Sequence, residues 1–161
     1  MAHYLGTVTT DWTPDQAFAY MADARNFAEW DPGTETSRLE NASEPGPGAV
    51  FAVKVHVGPP TVTFHYVTVR HEPPQPPAAG RVTLRAENFA MELVDDITVD
   101  VVDGVTTVTY EATVTPRGVT KIFGPIFDRG FQKTAAKGAD GLRARLARPY
   151  DETTGPAGRQ S

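Results

Sequence analysis

The sequence predicts an α+β fold: a curved antiparallel β-sheet of about six to seven strands wrapped around a long C-terminal α-helix, with two short helices after the first strand. Three observations carry this expectation. From Thr34 to about Thr115, apolar residues recur at every second position, the period of half-buried strands. From about Gly118 to Arg148 they recur at three- and four-residue steps, as on one face of an amphipathic helix. Between the first strand-like segment and the β region lie two short stretches with helix-start signals. A sheet with one apolar face must be covered, and the terminal helix is the only segment long enough to do so. Sheet twist then bends the strands around it.

The elements follow in order. Ala2 to Thr10, with Tyr4, Thr7, Val8, Thr9 and Thr10, reads as a strand. Thr13-Pro14-Asp15-Gln16 places a capping residue before a proline, with Gln16 completing a capping box, and Ala17, Phe18, Met21 and Ala22 supply the apolar face. A second short helix is expected after Asp23, ending before the Trp30-Asp31-Pro32-Gly33 turn. Strands are expected over 34–42, 50–57, 61–71, 81–87, 91–102 and 105–115, with breaker-rich loops at Glu44 to Gly48 and Glu72 to Gly80. Asp103-Gly104 is the strongest two-residue hairpin signal in the chain. In the terminal helix, Phe123, Ile126, Phe127, Phe131, Ala135, Gly138, Leu142 and Leu146 form the apolar stripe, and Gly124-Pro125 is expected to delay the regular part to about Ile126. One domain over 1–148 and a disordered tail over 149–161 follow from this reading.

Composition narrows the function. A chain of 161 residues, 40% hydrophobic and 22% charged, forms a core large enough to need neither metal nor disulfide. Zero cysteines exclude disulfides, thiolate catalysis and cysteine-ligated metal clusters. A net charge of −5 works against binding to a phosphate backbone. The basic residues gather between Lys121 and Arg148, where they offset the macrodipole of the terminal helix, so no nucleic-acid partner is expected. No apolar run reaches the ~18 residues of a spanning helix, and the N-terminus lacks a signal-peptide pattern, so no integral membrane segment and a cytoplasmic location are expected.

The run from Phe18 through Asp23-Ala24-Arg25-Asn26-Phe27 to Trp30-Asp31-Pro32, together with Arg70-His71-Glu72-Pro73-Pro74 at a strand end, resembles the START/Bet v 1-like (SRPBCC) superfamily, in particular its polyketide cyclase/dehydrase and lipid-transport branch. The resemblance covers about residues 2–148. It implies a helix-grip fold with a cavity between the concave sheet face and the terminal helix. Gly130, Gly138 and Gly141 would make room there by removing side-chain volume from the helix.

Residues expected to line such a cavity are Trp30, Phe51, Val53, Phe64, Tyr66, Leu93, Asp95, Ile97, Tyr110, Phe127 and Phe131. Trp30 either plugs the base of the helix pair or borders the pocket mouth. Tyr66 and Tyr110 lie on the apolar faces of their strands, where their hydroxyls either orient a ligand or reach the rim. Asp95 interrupts the inward series Met91, Leu93 and Ile97, so a carboxylate buried there must be paired or protonated, unless it sits at a bulge. Glu92, Asp96 and Asp100 alternate outward. His3, His56, His65 and His71 do not have metal-ligand spacing, and neither a metal nor another cofactor is expected. No nucleophile triad or phosphate loop is recognisable, which leaves catalytic residues unassigned.

The expected function is binding or carriage of a small hydrophobic molecule such as a lipid, isoprenoid or polyketide-like compound. The alternative is a polyketide cyclase/dehydratase acting in the same cavity through Tyr66, Tyr110 or Asp95. A third reading is a protein-interaction or stress-response module using the basic side of the terminal helix.

Overall fold

The computed structural model describes residues 1–57, 59–118, 121 and 124–152, without the side chains of residues 124–127. Seven strands form one antiparallel sheet: β1 (Ala2–Thr10), β2 (Thr34–Leu39), β3 (Val50–His56), β4 (Thr61–Glu72), β5 (Gly80–Glu87), β6 (Met91–Val102) and β7 (Val105–Pro116). Their order in the sheet is β1-β7-β6-β5-β4-β3-β2, so sequential strands are neighbours from β2 to β7 and β1 closes on β7. Two register shifts, between Thr34 and Thr36 and between Thr68 and Arg70, add local bends to the twist. The β6–β7 connection is a two-residue hairpin in which Asp103 and Gly104 have φ of 53° and 78°, the geometry that matches strand twist.

Helix α1 (Pro14–Met21) starts with the expected capping box: Gln16 N–H donates to Thr13 Oγ1, and Thr13 N–H donates to Gln16 Oε1. A 3₁₀ turn (Ala24–Asn26) and α2 (Phe27–Trp30) follow. Asp23, fully buried, caps the turn through the Arg25 N–H and takes the Arg25 guanidinium in a bidentate pair. Buried Asn26 donates to the Tyr20 carbonyl, so the two helical segments are tied by polar contacts as well as by packing.

The C-terminal helix α3 (Gly124–Leu146) lies over the concave face and buries Leu142 and Leu146. It begins at Gly124, two residues ahead of expectation. Pro125 falls in its first turn, where a missing N–H has no intrahelical partner to lose. The far end is fastened to the β1–α1 corner: Thr10 Oγ1 donates to the Leu146 carbonyl at 2.7 Å and Trp12 Nε1 to the Arg148 carbonyl at 2.7 Å. Arg145 adds a third tie, its guanidinium lying 4.9 Å and 5.0 Å from the Trp12 and Tyr20 ring centroids and 3.6 Å from Glu29. Tyr150 packs edge-on against Trp12, which keeps the chain against the body just past α3; residues 153–161 of the expected tail lie outside the described residues.

The inward faces of β3 to β7 meet α1, α2 and α3 in one core that includes Phe51, Val53, Phe64, Leu84, Ile97, Val99 and Val108. Strand β2 is shorter than expected, ending at Leu39. Asn41 replaces ladder pairing with side-chain bonds to Gly48 O and Val50 N, which close the following loop.

Candidate functional site

The site begins where α2 ends. The Asp31 N–H donates to the Phe27 carbonyl, closing the helix, and the Asp31 carboxylate then accepts from Gly33 N–H at 2.9 Å and from Thr34 Oγ1 at 2.8 Å. This Asx-type turn fixes the Asp31 side chain beside that of Trp30. The Trp30 ring is 5% exposed and meets Phe27 and Tyr110 edge-on, at centroid distances of 5.3 Å and 5.6 Å. Helix α3 passes so close that a Cβ on Gly141 would collide with the Trp30 carbonyl oxygen, while one on Gly138 would stand 3.5 Å from Asp31 Oδ1.

Across the sheet, register brings the remaining polar groups together. Asp95 lies opposite Leu84 on β5 and Ala112 on β7. Tyr110 is two residues from Ala112 on the same inward face, and Tyr66 stands on β4, paired with Phe51. Asp95 is 5% exposed and has no bulge at its position, and the Tyr66 and Tyr110 hydroxyls are near enough to its carboxyl to stabilise the charged form. Burial pushes the Asp95 carboxyl up to about 7; the charges of Asp31 and Asp96 push the same way, and the bonds from Tyr110 and Tyr66 oppose them. The Tyr66 and Tyr110 hydroxyls are themselves raised well above the ordinary phenol range, first by burial and then by the Asp95 charge. Both phenols therefore stay protonated donors at neutral pH, next to a carboxyl present in both forms.

These groups line a cavity of about 120 Å³ between sheet and helix. The α2 turn contributes Trp30 and Asp31, and β4 contributes Tyr66. Leu93, Asp95, Tyr110, Ala112 and Val114 come from β6 and β7, and Phe131, Thr134, Ala135 and Gly138 from α3. Exposed Thr134 and half-buried Asp31 and Phe131 mark its open side. A larger groove of about 250 Å³ lies at the proline-rich β4–β5 loop, among Pro14, Pro74, Pro76 and Pro77. It has Asp100 as its one ionisable lining group among the described residues, so it lacks the convergence of polar groups that marks a binding site.

Of the residues expected at the cavity, Trp30, Tyr66, Leu93, Asp95, Tyr110 and Phe131 stand on its wall. Phe51, Val53, Phe64 and Ile97 do not: they are buried in the solid core, because α1 and the 3₁₀ turn cover that part of the concave face. The side chain of Phe127 lies outside the described residues. Of the helix glycines, Gly138 borders the cavity, Gly141 admits the Trp30 backbone, and Gly130 faces open space. Asp31 was legible only as part of a turn; its Asp-Pro-Gly setting signals a fixed carboxylate but not its direction. The four histidines are dispersed: His3 bonds Glu111 at 2.7 Å, His65 bonds Glu40 at 3.0 Å, His56 lies 3.9 Å from Glu35, and His71 packs on Phe18. Among the described residues no group of three or more metal-ligating side chains forms.

A sheet gripping a terminal helix over a cavity, with two short helices after the first strand, is the architecture of START/Bet v 1-like proteins. The chain belongs to the polyketide cyclase/dehydrase and lipid transport family, whose model matches residues 1–147. Among solved structures it is similar to the Zhui aromatase/cyclase from Streptomyces sp. R1128, with a TM-score of 0.68 and 14% identity over 89% of this chain and 92% of that one. A START superfamily protein from Mycobacterium smegmatis gives a TM-score of 0.66 at 12% identity, over 91% and 97% of the two chains. Ginseng major latex-like protein 151 from Panax ginseng gives 0.65 at 10% identity, over 91% and 98%. At these identities the likeness is one of fold. Among proteins with curated descriptions, none matches the sequence.

Proposed function

We propose that this protein binds a small, largely apolar molecule in the cavity beneath α3, as a carrier or receptor. The observation that carries the reading is the cavity itself, walled by aromatic and aliphatic side chains with a small set of buried polar groups on one side. Its size sets a scale. An apolar cavity of about 150 Å³ accommodates benzene, and sites for drug-sized ligands run to about 300 Å³ or more. At about 120 Å³ the cavity seats a small ring or the end group of a longer molecule, whose remainder leaves past Thr134. The net charge of −5 supports a small-molecule partner over a nucleic acid, and no described helix is long and apolar enough to cross a membrane.

A second reading, a cyclase/dehydratase acting on a polyketide-like substrate, is favoured by one observation. Asp95, raised to about 7 between two phenol donors, is suited to give and take a proton at neutral pH. Organic extraction of natively purified protein, followed by mass spectrometry, tests the first reading: a bound small molecule is expected, lost in Trp30→Ala. The second reading requires turnover of a poly-β-carbonyl substrate that falls by at least a hundredfold in Asp95→Asn with the fold intact; turnover unchanged in that variant removes it.

A further inference from the structure

The cavity has a one-sided charge inventory. Its wall holds the carboxyls of Asp31 and Asp95, and none of its described lining residues is Lys, Arg or His. The groups packed around Asp95 do not supply a cation either. Leu84 and Ala112 flank it on β5 and β7, Tyr66 and Tyr110 face it as neutral phenols, and the α3 residues opposite are Phe131, Thr134, Ala135 and Gly138. Asp96 points to the outer face, where Thr83 donates to it. Arg143 lines a small separate space behind Trp30 and Tyr110, where it is 61% exposed and paired with Asp140 at 3.0 Å. The Asp31 carboxylate accepts hydrogen bonds from two donors, Gly33 N–H and Thr34 Oγ1, which fix its position at the cavity wall.

We propose that the cavity takes a small apolar molecule carrying a primary or secondary ammonium group, seated between the Asp31 and Asp95 carboxylates with its carbon body among Trp30, Tyr66, Tyr110 and Phe131. This rests on the binding reading above and names the chemistry of the ligand. Three physical terms favour an ammonium. It supplies a countercharge to buried Asp95 and half-buried Asp31, which no basic residue among the described lining provides. Its N–H groups make charge-assisted hydrogen bonds to both carboxylates. Aromatic rings attract a desolvated cation through their quadrupoles. A neutral ligand of the same shape leaves the carboxylates as they are, and a carboxylate ligand adds a third negative charge to the same space. The order ammonium, neutral, anion is therefore the expected selectivity, and fatty-acid-like ligands are disfavoured.

Binding of an ammonium is linked to ionisation of Asp95. With that carboxyl at about 7 in the empty site, about a tenth of molecules are ionised at pH 6 and about nine-tenths at pH 8, so ammonium affinity rises about tenfold across this interval. The test uses three near-isosteres, benzylammonium, benzyl alcohol and benzoate, titrated into the full chain at pH 6 and pH 8 and followed by protein amide and indole chemical shifts. Benzylammonium is expected to bind at least tenfold more tightly than the other two at pH 8. Its affinity should rise about tenfold from pH 6 to pH 8, and this slope should vanish in Asp95→Asn, whose folding the same spectra report. Benzyl alcohol or benzoate binding as tightly as benzylammonium at pH 8 overturns the proposal while leaving a binding cavity. A benzylammonium affinity that is flat or falling with pH in the wild-type chain overturns it without recourse to the variant. No shift at the cavity residues with any of the three at tens of millimolar overturns both this proposal and the binding reading.

Discussion

Replacing Asp95 by Asn isolates what a buried carboxyl costs this fold. In the unfolded chain the group titrates near 3.8, and in the folded protein at about 7, so between those values the folded state holds more protons than the unfolded one. Folded stability from this group is therefore complete below about pH 4, falls as pH rises towards 7, and stays low above that. The interval corresponds to about 4 kcal/mol as a ceiling, at 1.36 kcal/mol per pH decade, before relaxation and water in the cavity reduce it. Asn has the same shape, cannot ionise, and finds hydroxyl partners in Tyr66 and Tyr110 that can accept as well as donate. The difference in stability between Asp95→Asn and wild type should be no more than about 1 kcal/mol at pH 4.5 and reach about 2–4 kcal/mol in favour of the variant at pH 8, or roughly 5–15 °C in Tm for a domain of this size. Urea unfolding followed by circular dichroism at several pH values reads this difference, with an unchanged m-value as the check on two-state behaviour. A variant less stable than wild type at pH 8, or a difference independent of pH, would refute the assignment of Asp95 as a group whose burial opposes its charge.

The helix glycines make a matched pair. Gly141→Ala drives a methyl into the Trp30 carbonyl and should cost about 2 kcal/mol or more, whereas Gly130→Ala meets open space and should stabilise α3 by roughly 0.5–1 kcal/mol, both read from thermal unfolding. Gly138→Ala makes only an ordinary 3.5 Å contact with Asp31 Oδ1, so the fold should hold while cavity volume and ligand affinity fall; equal affinity would place the ligand elsewhere. Arg145→Ala removes a guanidinium from between Trp12, Tyr20 and Glu29 and should lower stability by about 2 kcal/mol, since its side chain is 11% exposed; a loss within 0.5 kcal/mol would show that the α3 corner is held by Leu142, Leu146 and the two carbonyl bonds alone.

Most of the architecture was legible because each element carries its own local signal. The Thr13–Gln16 box, the Asp103-Gly104 hairpin and the alternation through β3 to β7 each depend on a few adjacent residues. The departures arise where a side chain substitutes for the backbone, as Asn41 does in ending β2, or where a proline serves a helix start, as Pro125 does. The site was less legible for a geometric reason. Alternation assigns a residue to the concave face but not to a position along it, so Phe51, Val53, Phe64 and Ile97, which fill the core beneath α1 and the 3₁₀ turn, could not be separated from Tyr66, Leu93 and Tyr110, which face the cavity. Asp95 was visible because a charge interrupts an apolar series, with a bulge as the bland alternative, whereas Asp31 sits in a turn, where aspartate is ordinary.

The meeting of Asp31 and Asp95 is a product of tertiary structure that two small-residue positions make possible. Gly141 lets the α2 turn approach α3 to backbone contact, and that approach carries Asp31 over the concave face instead of leaving it in solvent beyond the helix. On the sheet side, Ala112 beside Asp95 leaves space where a larger residue would have covered the carboxyl and closed the cavity. The same geometry that opens room for a ligand thus raises the Asp95 carboxyl, first by burying it away from the open side at Thr134 and then by bringing a second carboxylate close. A fold selected for stability alone would put an aliphatic residue at 95, in line with Leu93 and Ile97. Keeping a carboxyl there, flanked by two phenols and facing a second acid, is understandable when the missing partner is a ligand that arrives from outside the chain.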